Sequence, residues 1–98
     1  MLRIYTEPSP DGITLRLEGK LVQPWVDEVA KVWTALEAQG QDKRRIRIDM
    51  EHVSFVDVHG KSMVCLFLQA GCQLHGSGIY IRGVIEDLRA PKSPPAKP

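Results

Sequence analysis

Three histidines, two cysteines and a handful of carboxylates carry whatever side-chain chemistry this sequence offers. Cys65, Cys72 and His75 are the nearest thing to a metal-binding set, but their spacing matches no standard ligand pair. His52 and His59 are scattered, so free thiols are the ordinary reading and neither a metal nor another cofactor is expected. The segment Asp57-Val58-His59-Gly60-Lys61 lies where an apolar stretch hands over to a helix. There Asp57 suits an N-cap, its carboxylate accepting backbone N–H groups of the first turn, a role compatible with contact to a partner. His59 is either a polar loop residue or a partner contact. General-base or phosphohistidine chemistry lacks a second catalytic group in the local motif. Ser, His and Asp all occur, yet no nucleophile elbow is visible, so no catalytic residue is assigned and an enzyme is not expected. His75-Gly76-Ser77-Gly78 is glycine-rich but reads as a loop leading into a strand, whereas a phosphate cradle follows a strand and opens a helix. Lys43, Arg44, Arg45 and Arg47 form a basic cluster beside Asp42 and Asp49, read as a solvated strand start.

These residues sit in a chain of 98, enough for one core and too short for two. The formal net charge is +1, and two of the positive charges, Lys92 and Lys97, follow Ala90, so residues 1–90 carry −1. A near-neutral body has no general electrostatic pull on nucleic acid or anionic lipid. Cys65 and Cys72 lie about 10 Å apart along a helix axis. A disulfide needs Cα atoms within about 7 Å, so both thiols are expected reduced, as in the cytoplasm. Arg3, Glu7 and Asp11 interrupt any leader-like apolar stretch. The longest uncharged run, Ser62 to Ser77, is shorter than the roughly 18 residues of a spanning helix, so no direct membrane insertion is expected.

Periodicity supplies the elements that must hold the loop. Residues 2–6 alternate as a first strand, Pro8, Pro10, Asp11 and Gly12 form a turn, and Ile13, Leu15 and Leu17 mark a second, antiparallel neighbour. Pro24 suits the first helical position, Trp25, Val29, Val32, Trp33 and Leu36 share a face, and Gly40 stops the helix. Residues 45–50 alternate as a strand, and Val53 to Val56 bring Phe55 and Val56 into the core. A second helix is expected from Lys61 to Leu74, with Val64, Phe67, Leu68, Gly71 and Leu74 or His75 on its core stripe. Met63, Leu66 and Ala70 widen its apolar surface, either against neighbouring helices or as a docking surface. Ile79 to Arg82 reads as a strand and Val84 to Leu88 as a short last helix. One domain over 1–90 is expected, then a disordered Pro/Lys tail over 91–98. Strand and helix in alternation argue for an α/β fold, a mostly parallel four- to five-stranded sheet with helices mainly on one face.

The stretch from Ile46 to Gly60 resembles the signature of the STAS domain (sulfate transporter and anti-sigma factor antagonist). There an alternating strand ends in Asp, and a hydrophobic pair precedes Asp-Ser-Ser-Gly at a helix start. Asp49, Phe55-Val56-Asp57 and Gly60 match in type and spacing, and the order of elements and Leu17-Glu18-Gly19-Lys20-Leu21 also fit. The resemblance covers roughly residues 12–88. It implies a bacterial, non-enzymatic protein-binding module, an anti-sigma factor antagonist acting in transcription regulation. Its partner-binding surface would be Asp57, Val58, His59, Gly60, Lys61 and Met63, with His59 at the position of the family phosphosite. Val58 and His59 replace both serines of the pattern, so the usual serine-phosphorylation switch is expected to be absent. The partner implied is an anti-sigma factor or, in the alternative, the parts of a lipid or other ABC-type transporter to which the chain would be an accessory subunit. A small enzyme or nucleotide binder is the remaining alternative. Should the loop not be the binding surface, the sheet face around Arg16, Arg47 and Arg82 is the next choice.

Overall fold

A computed structural model describes residues 1–89, which form an α/β unit of four strands and three helices. The strands are β1 (Leu2–Ser9), β2 (Gly12–Leu21), β3 (Ile46–Val56) and β4 (Gln73–His75). The helices are α1 (Trp25–Ala38), α2 (Val58–Ala70) and α3 (Ile79–Arg89). The sheet order is β1-β2-β3-β4, with β1 antiparallel to β2 and the other two pairs parallel, so the sheet is mixed. The expected tail over 91–98 lies outside the described residues.

Alternation along the strands decides the two faces of the sheet. Leu15, Leu17, Ile46, Ile48 and Met50 are fully buried and meet Val29, Trp33, Val64, Phe67 and Ile81 from the helices. The opposite face is polar. Register places Glu7, Thr14, Arg47 and Gln73 in one cross-strand row, and Tyr5, Arg16, Asp49 and His75 in the next. Arg16 lies over the Tyr5 ring, 4.6 Å from its centroid, and reaches Glu7 at 3.2 Å and Glu18 at 3.4 Å.

Two glycines end helices as their φ values require. Gly40 (φ 74°) donates to the Glu37 carbonyl at 3.0 Å, and Gln41 donates to Leu36 at 3.2 Å. Gly71 (φ 90°) does the same at the end of α2, donating to Leu68, while Cys72 donates to Phe67, both at 3.1 Å. Paired bonds of this kind satisfy the last carbonyls of a helix through a left-handed residue that only glycine adopts freely.

Three expectations need correction here. Helix α2 spans Val58–Ala70 rather than Lys61 to Leu74. Gly71 closes it rather than joining its core stripe, and the next residues form the short strand β4. Ile79 to Arg82 is the first turn of α3 and not a strand. Ile79 is 93% exposed, and the buried positions are Ile81, Val84 and Ile85, a helical stripe. Phe55 lies outside the core at 47% exposure, because the side chains flanking buried Val56 on an extended strand face away from it. The extra apolar width of α2 is mostly covered from within. Met63 and Ala70 pack against the core, α2 touches both α1 and α3, and of the three only Leu66 stays exposed.

Candidate functional site

Asp57 ends β3 and begins α2, and its groups tie three segments together. Its Oδ1 accepts from the Gly60 N–H at 2.7 Å, and its Oδ2 accepts from the Gln23 N–H at 3.1 Å. Its own N–H donates to the Leu21 carbonyl at 3.2 Å. The same carboxylate therefore caps α2 and holds the segment that leads from β2 into α1. The Gly60 bond holds the Asp57 carboxyl below its ordinary range. Partial desolvation opposes this, and the Gln23 N–H and the nearby His59 add to it.

Around this anchor the six candidate residues divide. Val58, His59 and Lys61 are exposed on the first turn of α2. Met63 is half-buried against the core, and Gly60 is buried. A Cβ on Gly60 would fall on the Leu21 carbonyl oxygen and lie 2.7 Å from Val56 Cγ1, so this residue permits a close approach and presents nothing to solvent. The nearest hydroxyls are engaged locally, with Ser62 donating to the Val58 carbonyl at 3.2 Å and Ser54 to Gly19 at 3.4 Å.

Sequence reading missed the aromatic half of this surface. Phe55 stacks on Tyr80 with ring centroids 6.1 Å apart and an angle of 13° between planes. The Tyr80 hydroxyl accepts from the Val56 N–H at 3.0 Å and donates toward its carbonyl at 3.3 Å, which pins α3 to the end of β3. With Val58 at 69% exposure, it and the stacked Phe55 and Tyr80 put three large apolar side chains in solvent at the end of β3 and the start of α2, whereas the exposed Ile79 borders Arg82, Gly83 and Glu86 on α3. The signal was present in Ile81, Val84, Ile85 and Leu88, whose helical spacing puts Tyr80 on the outer side.

The loop 75–78 also differs from expectation, because it follows β4 and opens α3. That is the setting of a phosphate cradle, but its donors are already used. The Ser77 N–H gives to Glu51 Oε1 at 3.0 Å, its hydroxyl gives to Glu51 Oε2, and His75 Nε2 lies 3.3 Å from Oε1. Glu51 fills the place an anion would take. The hydroxyl of Ser77, then its N–H, hold the Glu51 carboxyl below its ordinary range against partial desolvation. A carboxylate so stabilised is a weak base, and the imidazole does not stand between serine and acid, so the three are not a catalytic relay. Arg82 pairs with Glu86 along α3 at 3.8 Å and is not part of the sheet face. Both cysteines are free, and no cluster of three metal-ligating side chains occurs among the described residues.

Asp57, Glu51 and Asp42, the last held down by the Arg44 N–H, all contribute to the acid limb of stability. Each has a folded pKa below its unfolded value, so its contribution is complete above the ordinary carboxylate range and is lost as pH falls through the folded value. The melting temperature is expected to be flat at neutral pH and to fall steadily below about pH 4. Asp57→Asn keeps a capping oxygen without a titrating proton, so the gap between wild type and variant should close as pH drops. A gap that stays constant in thermal melts as pH falls from neutral through the ordinary carboxylate range contradicts this reading.

No family model matches this sequence, and neither does any curated protein. No helix among the described residues is long and apolar enough to cross a membrane.

Proposed function

We propose that this chain is a protein-interaction module of the anti-sigma-factor-antagonist type, with a STAS-like fold, that docks a protein partner through the Asp57 turn. The observation that carries the reading is the set of exposed Phe55, Tyr80 stacked on it, and Val58 flanking Asp57, a turn held rigid from three sides. Large apolar side chains gathered on a scaffolded turn mark recognition surfaces, and tyrosine is enriched among the residues that dominate binding energy. The Ile46-to-Gly60 signature supports the family. Val58 and His59 at the serine positions support a module without the phosphorylation switch, so a serine/threonine kinase should place no stoichiometric phosphate in residues 54–62, Ser54 and Ser62 included, as mapped by mass spectrometry.

The test is capture from native cytosolic and membrane fractions, with affinity and melting temperature measured on the same variants. Val58→Glu and Lys61→Glu both add an acid to the first turn of α2, where the helix dipole favours it, so folding should be intact or slightly improved. Partner affinity should fall at least about tenfold for each, because one change removes apolar contact and the other reverses a charge. A captured protein with a kinase-like fold supports the antagonist. Capture of transporter subunits supports the alternative of an accessory subunit for a lipid or other ABC-type transporter. Unchanged affinity in both variants moves the docking surface to the polar sheet face.

A further inference from the structure

A cleft lies at the opposite end of β3 from Asp57. It has a volume of about 480 Å³ and is lined by Ser9, Pro10, Asp11, Thr14, Arg44, Arg45, Arg47 and Gln73. One wall is the tip of the β1–β2 hairpin and another is a 3-10 turn, Lys43–Arg45. The two are seated on each other, because a Cβ on Gly12 would strike the Arg45 carbonyl and lie 2.8 Å from the Arg45 Cβ. The floor is the cross-strand row Thr14, Arg47 and Gln73 on the polar face of the sheet. Each wall is thus backbone held by strand pairing or direct packing.

The charge of the cleft is unbalanced. Three arginines face one lining carboxylate, Asp11. Arg44 lies 3.5 Å from Asp42, but among the described residues neither Arg45 nor Arg47 has a carboxylate within 4.0 Å. Arg16 with Glu7, Lys31 with Glu28 and Lys43 with Glu37 show what a paired cation looks like in this fold. Guanidinium groups that outnumber their counter-charges repel one another, and a dianionic phosphate relieves that cost through paired N–H···O bonds that fit the planar fork of arginine. Ser9, Thr14 and Gln73 add hydroxyl and amide groups for the rest of a polar ligand.

We propose that this cleft binds a phosphorylated small molecule, with Arg47 at the floor and Arg44 and Arg45 at the wall gripping the phosphate. The volume falls in the range of about 300–1,000 Å³ typical of small-ligand sites and exceeds what a bare phosphate fills. No aromatic side chain lines the cleft, so nothing there stacks on bases as single-stranded nucleic acid requires. The site is about 30 Å from the Asp57 turn along β3 and does not depend on the function proposed for that turn.

The test is titration at constant ionic strength with inorganic phosphate and with glycerol phosphate, read by backbone amide shifts and calorimetry. Saturable binding is expected for both, with the shifts centred on Thr14, Arg47 and Gln73. Tighter binding of glycerol phosphate identifies an organic phosphate as the ligand class, and equal affinity identifies the free anion. Arg47→Gln should weaken binding about tenfold or more. Arg44→Gln, on the rim, should weaken it less, and Lys31→Gln on α1 should leave it unchanged. All three should keep the wild-type melting temperature. Absence of saturation, or equal weakening by Lys31→Gln and Arg47→Gln, overturns the proposal.

Discussion

Phe67→Ala is expected to destabilise the protein by about 3–5 kcal/mol, a large share of the roughly 5–15 kcal/mol that holds a small domain together. Phe67 has no exposed surface, and its ring meets that of Trp33 with centroids 5.2 Å apart and a tilt of 56°. Around the pair lies the apolar face of the sheet, so truncation leaves a cavity whose walls are strands and cannot close in. Trp33→Ala should cost about the same by the same cavity argument. The double variant should cost less than the two losses added, because the contact between the rings is counted in each single variant. Chemical denaturation of the four proteins measures this. A loss below about 1 kcal/mol for either single variant, far under the range for buried aromatics, would mean that these rings do not form the centre of the core.

Gly60→Ala is expected to cost about 3 kcal/mol, the upper end of what overpacking does, although it adds a single methyl group to a helix. Helix propensity alone would make the change favourable by about 1 kcal/mol. Position decides against propensity. The methyl would fall on the Leu21 carbonyl, a backbone atom already bonded to the Asp57 N–H, with Val56 Cγ1 only 2.7 Å away. Making room means parting the ends of β2 and β3, which also breaks the bonds that hold the Asp57 turn. Gly83→Ala on α3 is the control. Nothing lies within 4 Å of a Cβ there, so this variant should gain about 0.5–1 kcal/mol. A melting temperature that moves the same way for both variants would remove the packing explanation.

Strong, long periodicities were legible in the sequence. Val29, Trp33 and Leu36 on α1, Ile46, Ile48 and Met50 on β3, and Val64 and Phe67 on α2 all lie where their spacing put them. The antiparallel first pair and the stop at Gly40 followed from turn chemistry. Residues 71–82 were misread because each local pattern there is short. β4 is three residues with one half-buried side chain, Leu74, and too brief to show alternation. Ile79-Tyr80-Ile81 alternates like a strand until Val84, Ile85 and Leu88 extend the window to a full helical stripe. That error hid the pairing of Phe55 with Tyr80, since contact between residues 25 positions apart depends on how α3 docks. The arginine cleft was equally out of reach. Lys43 to Arg47 announces a basic cluster, but the concavity exists only because a hairpin tip and a strand row close around it.

The residue that follows Gly71 carries a consequence of its own. Cys72 completes the bond pattern that ends α2 and is only 7% exposed, and burial pushes its thiol up to about 11, with Lys43 opposing weakly. At neutral pH the unreactive thiol dominates, and a reagent must still reach the sulfur. Alkylation of Cys72 therefore waits for the end of α2 to lift from the sheet. Its rate is a clock for that opening, carried by the native sequence without any added label.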